Sequence, residues 1–220
     1  MAVNAKLGAV LFALLPVSGA NTVSPRGFEL LKQAMEATPD PERGRILYLK
    51  HCTSCHAPRG WGDGPREVPS LAGQHEFYLL QQLVLFNTLD RHMPEMHQIV
   101  GRPDVDLPPA LRALAVYLSH QPRNPHADHG DGQALPAGQR TYARACVMCH
   151  GKNGEGSENE PVPAIGGQHY YYVLAQLNGF AAGHRSEAHF PVVHFTTRLS
   201  PEERQGVADY VSRLTALRTD

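Results

Sequence analysis

Two stretches of this chain hold all four of its cysteines: Cys52-Thr53-Ser54-Cys55-His56 and, 94 residues on, Cys146-Val147-Met148-Cys149-His150. In each, two thiols lie three residues apart and an imidazole follows the second directly. This pattern is the attachment site of a c-type haem. The thiols can form thioethers with the two vinyl groups of one porphyrin, and the histidine then meets the iron as proximal ligand. Paired C-x-x-C elements also make zinc sites or redox dithiols. Zinc ribbons, however, space their pairs roughly 15–20 residues apart, and neither chemistry calls for a histidine after each pair. Cys52, Cys55, Cys146 and Cys149 are therefore read as anchors of two covalently bound haem c groups, with His56 and His150 on the irons.

The elements that must position these groups repeat with them. At an offset of 94, Gly44, Tyr48 and Pro69 fall on Gly138, Tyr142 and Pro163, and Leu71-Ala-Gly-Gln-His75 falls on Ile165-Gly-Gly-Gln-His169. Gln82, Leu83 and Phe86 match Gln176, Leu177 and Phe180; beyond them the offset drifts to 92–93, with Tyr117 against Tyr210. A duplicated unit of roughly 95 residues accounts for this. Helices are expected from Pro41 to the first cysteines and from Pro136 in the second unit, with proline at the start. Apolar residues at helical spacing predict helices over Glu76–Thr88 and Tyr170–Ala181, and closing helices over Pro108–His120 and Pro201–Leu217. Ser200 and Glu203 form a capping-box start for the last of these. No stretch shows sustained strand alternation. Phe28–Ala37 reads as an extra helix on the first unit.

Domains are expected at 21–122 and 133–220, with 123–132 as linker. His126, Asp128 and His129 in that linker, with His120 upstream, could hold a metal, although polar linkers commonly carry histidine. Ahead of the first domain, Lys6, an apolar run from Leu7 to Leu15 and Ser18-Gly-Ala20 have the form of a signal peptide over residues 1–20. The run is half what a membrane span needs. Export to the periplasm suits c-type haem. Without Lys6 the chain has 19 Lys and Arg against 21 Asp and Glu, which argues against nucleic acid as a partner.

On the twin pentapeptides and the twin Gly-Gln-His elements, the chain resembles dihaem cytochromes of the cytochrome c4 type over about residues 41–217. The resemblance implies an all-α fold, two tandem class-I cytochrome c domains packed face to face, each wrapped around one covalently bound haem. It implies further that the Pro69 and Pro163 carbonyls accept from Nδ1 of His56 and His150, fixing each ring.

Such domains supply a distal methionine from the loop after the second long helix, and here the chain departs from its family. The first unit offers Met93 and Met96. Met96 aligns with His189 and is favoured, with Met93 as the alternative and core packing as the role of the other. The second unit has no methionine after Met148. His184, His189 and His194 stand in its ligand loop, and His189 is the expected ligand; otherwise that iron is open. Methionine raises a haem potential and histidine lowers it, so electrons should rest on the first haem. The function expected is single-electron transfer between redox partner proteins, a membrane-bound oxidase or reductase among them, with peripheral membrane association compatible. The alternative is a haem enzyme, or the cytochrome subunit of one, with chemistry at an open second iron.

Overall fold

The computed structural model describes residues 23–185, 187–188 and 190–215, apart from the Phe190 side chain. The proposed signal peptide and His189 lie outside the described residues. Those described form helices and loops, with no strand beyond isolated bridges at Asp63–Val68 and Ser157–Val162. The first unit holds α1 (Pro25–Glu36), α2 (Pro41–His51), α3 (Thr53–His56), α4 (Glu76–Asn87), α5 (Pro94–Val100) and α6 (Pro108–Ser119). The second repeats five of these as α7 (Leu135–Ala145), α8 (Val147–His150), α9 (Tyr170–Ala181), α10 (Phe190–Thr196) and α11 (Pro201–Ser212).

In each unit the helix that leads into the cysteines crosses the closing helix, α2 on α6 and α7 on α11, where glycine removes the side chain. A Cβ on Gly44 of α2 would lie 2.0 Å from the Ala113 carbonyl oxygen of α6. The crossing brings Tyr48 against Tyr117, ring centres 5.6 Å apart, and the equivalent crossing brings Tyr142 against Tyr210 at 5.3 Å. Leu47, Leu80, Leu111 and Leu114 close the first core, each worth about 1.5–3 kcal/mol when buried. The expected extra helix is α1, starting three residues earlier at a Ser24 cap whose hydroxyl accepts from the Gly27 N–H. It adds Ala34 to the first core and has no counterpart in the second, where the buried cluster is smaller.

Two expectations change. The capping box at Ser200 and Glu203 forms, but α11 ends at Ser212 rather than Leu217, the Arg213 N–H closing on the Tyr210 and Val211 carbonyls. The ligand loops are partly helical: α5 and α10 correspond at an offset of 96, because the connection before α10 is two residues longer. Met96 and Val192 are each the third residue of their helix; His189, which the sequence alignment paired with Met96, lies outside the described residues.

Candidate haem sites and the seam between them

The haem motif is a helix end turned back on itself. Cys52 closes α2 through its N–H to the Tyr48 carbonyl, and His56 N–H returns to the Cys52 carbonyl at 2.9 Å. Cys146 and His150 repeat this at 2.9 and 3.0 Å. The repeated tyrosines pin the bend beyond each histidine: Tyr48 Oη donates to the Ala57 carbonyl and Tyr142 Oη to the Gly151 carbonyl, both at 2.6 Å. Both residues after the histidine have left-handed φ, 62° at Ala57 and 75° at Gly151, so glycine meets this bend more easily than alanine. None of the four cysteines is in a disulfide. Burial pushes Cys52 up to about 12 and Cys146 up to about 11, with Cys55 and Cys149 adding to it.

The histidine that ends each motif makes the contact that the resemblance implied. His56 Nδ1 faces the Pro69 carbonyl at 3.2 Å and His150 Nδ1 faces that of Pro163 at 3.1 Å. A carbonyl only accepts, so Nδ1 carries the proton and Nε2 keeps its lone pair for a metal. Burial lowers both pKa values, against the pull of those carbonyls, which favours the neutral, ligating form. The two sites open into one continuous, mainly apolar cavity of about 930 Å³. Its walls include Cys55, His56, Met93 and Met96 of the first unit, and Cys149, His150, Val192 and Thr196 of the second. Paired thiols, a neutral imidazole on Nε2 and a large apolar void fit a covalently held haem on each side.

Met93 and Met96, one turn apart, both reach the first half of this cavity. In the second half, His184 is exposed, and His194 lies off the cavity wall, edge-on to Phe195. The linker side chains diverge rather than converge: Asp128 pairs with His169 and His129 with Ser212. No cluster among the described residues could hold a metal ion.

The Gly-Gln-His elements are the fasteners between the units. Gln168 accepts from the Ser70 N–H and donates to its carbonyl, both at 2.9 Å. Gln74 does the same to Ala164, both at 2.8 Å. His75 Nε2 reaches the Glu155 carbonyl and His169 Nε2 that of Trp61, each at 2.7 Å. Deeper in the seam stand Arg91 and Arg185, with Tyr78, Tyr172, Gln82 and Gln176 on the same cavity wall. Burial and the neighbouring Tyr172 push the Tyr78 phenol up. Nothing in the sequence alone singled out the arginine and tyrosine pairs, although both obey the 94-residue offset.

Two thioether-anchored haem sites sharing one seam define a tandem c-type cytochrome. Comparison with known proteins agrees. The cytochrome c family model matches twice, at residues 41–120 and 135–215. Cytochrome c4 of Azotobacter vinelandii is 30% identical over 179 residues, 74% of this chain and 84% of that one. A thiosulfate dehydrogenase electron acceptor of Thiomonas intermedia is 30% identical over 73% of this chain and 77% of its own length. The crystal structure of reduced recombinant cytochrome c4 from Pseudomonas stutzeri superimposes with a TM-score of 0.72 at 26% identity, covering 81% of this chain and all of that one. The chain belongs to the cytochrome c family, as a dihaem electron-transfer protein of the cytochrome c4 type with two covalently bound haem c groups.

Proposed function

We propose that this protein is an exported, periplasmic relay that takes electrons singly from one redox protein and hands them to another, without catalysis of its own. The observation that carries this reading is the shared seam: both haem cavities open onto one interface fastened from both sides. Each bound haem supplies one Fe(III)/Fe(II) couple; the protein anchors it, holds the proximal ring and excludes water. Domains at 21–122 and 133–220 come after a leader over 1–20. Among the described residues no helix is long and apolar enough to cross a membrane, so any oxidase or reductase partner in a membrane would be met by docking. The protein purified from a periplasmic extract should have the mass of chain 21–220 plus two haems and take up two electrons in two unequal steps. Retention of residues 1–20, a single haem or one two-electron step would each sink part of this reading.

We assign Cys52 and Cys55, and Cys146 and Cys149, to the thioethers, and His56 and His150 to the proximal positions. Met96 is the distal ligand of the first haem and His189 that of the second. Met96→Ala should abolish the thioether-to-iron charge-transfer band and lower the first potential; if Met93→Ala does so instead, the ligand is one turn earlier. His189→Ala should turn the second haem high-spin. Protons compete with iron for an imidazole near its reference pKa of about 6.5, so mild acid should release the second distal ligand before the first. A second reading keeps the second iron open. Its support is that Val192 and Thr196 present no ligand on that wall and that Val192 shares the register of Met96. Ready binding of carbon monoxide by the wild type would favour it, and with it an enzyme subunit of the kind the thiosulfate dehydrogenase relative suggests.

A further inference from the structure

The deep seam repeats its arginines, phenylalanines and glutamines across the two units, but one charged residue has no counterpart. Arg91 and Arg185 stack on Phe86 and Phe180, 4.6 and 4.5 Å from the ring centres. Arg91 donates to Gln176 Oε1 at 3.0 Å and Arg185 to the same oxygen at 2.8 Å. Glu187 has no acidic partner in the first unit: Met93 stands at an offset of 94 and Arg91 at an offset of 96. Its carboxylate is 3% exposed, accepts from Arg185 Nε at 2.7 Å and stands 3.8 Å from Arg91 Nε. It also lines the haem cavity, as do Ala188, Pro191 and Val192.

We propose that Glu187 makes the two haem sites electrically unequal: a buried negative charge, carried by the second unit alone, that disfavours an electron on the second haem. A carboxylate stabilises the more positive ferric haem and opposes the ferrous one. Inside the seam water screens that effect poorly, so the charge acts at longer range than it would at the surface. Arg91 and Arg185 balance each other across the pseudo-twofold axis; the first unit's carboxylates on the same cavity wall, Glu67 and Glu95, are exposed to solvent and do not match the buried Glu187. The effect adds to that of the axial ligands and does not depend on which residue binds the second iron. It rests on each unit holding one haem.

The experiment is spectroelectrochemical titration of haem-loaded Glu187→Gln and Glu187→Asp, with spin state recorded for each. Glu187→Gln keeps the shape and removes the charge. It should raise the second potential relative to the first, shifting electron sharing between the haems about tenfold, or about 59 mV. Glu187→Asp should retain the wild-type difference, and spin states should not change. If Gln moves both haems equally or neither, if Asp behaves as Gln does, or if the shift comes with a new spin state, the proposal fails. Should Glu187→Gln not load haem, Arg185→Gln carries the test with the opposite sign, lowering the second potential relative to the first; no relative shift there overturns it. A wild-type haem count other than two would instead sink the dihaem assignment, independently of Glu187.

Discussion

Gly138→Ala is expected to cost the second unit about 3 kcal/mol or more, the upper end for an overpacked core site and a large share of a domain stability of about 5–15 kcal/mol. A Cβ at Gly138 would lie 1.9 Å from the Gly206 carbonyl oxygen, 2.1 Å from its carbon and 2.8 Å from its Cα. All three atoms are backbone, so no rotamer change relieves the contact and α7 must move off α11. That crossing carries Tyr142, whose hydroxyl holds the Gly151 carbonyl directly after His150. The damage should therefore reach haem retention as well as stability. Gly179→Ala, in the last turn of α9, is the matched control. Its Cβ would meet only Arg185 Cγ, at 3.9 Å, and the helix should gain about 0.5–1 kcal/mol. Urea unfolding of the haem-loaded proteins, followed by haem absorbance and far-ultraviolet dichroism, separates the cases. Equal midpoints for Gly138→Ala and wild type would refute the account of the crossing.

The same glycines show what was legible in the sequence. Gly44 and Gly138 stood out because they repeat at one offset, as did Tyr48 and Tyr142, and the crossings they form account for both. The Nδ1 contacts of His56 and His150 were foreseen from the resemblance, since a backbone carbonyl at a repeated proline is local information. The seam was not. Gln74, Gln168, Arg91 and Arg185 repeat as clearly as the glycines, but a repeat does not say whether a polar side chain faces water, its own unit or the other. The register of α10 was lost for another reason. A two-residue lengthening before that helix and a shortening after it largely cancel, so the outer alignment stays intact while Val192 holds in α10 the position that Met96 holds in α5.

Gln168→Ala should open the seam without unfolding either unit. The Gln168 amide pairs with Ser70 as a strand neighbour would, accepting from its N–H and donating to its carbonyl at 2.9 Å. Ser70 is only 9% exposed, so truncation leaves two buried backbone groups unpaired, at about 1–3 kcal/mol each. Ser70 also follows Pro69, whose carbonyl fixes His56 Nδ1. Loosening the clamp should thus perturb the first haem although the substitution lies in the second unit. Gln74→Ala should act reciprocally through Ala164, next to Pro163 and hence beside His150. Because both amides close one interface, the double variant should cost less than the sum of the singles, the seam having already parted. Two measurements test this: a double-mutant cycle by urea unfolding, and the rate of proteolysis within residues 121–132, which the closed seam protects by docking Asp128 on His169. Faster cleavage in either single variant with both haems retained is the expected result. Wild-type cleavage rates with strictly additive energies would show that the glutamines do not hold the two haem units together.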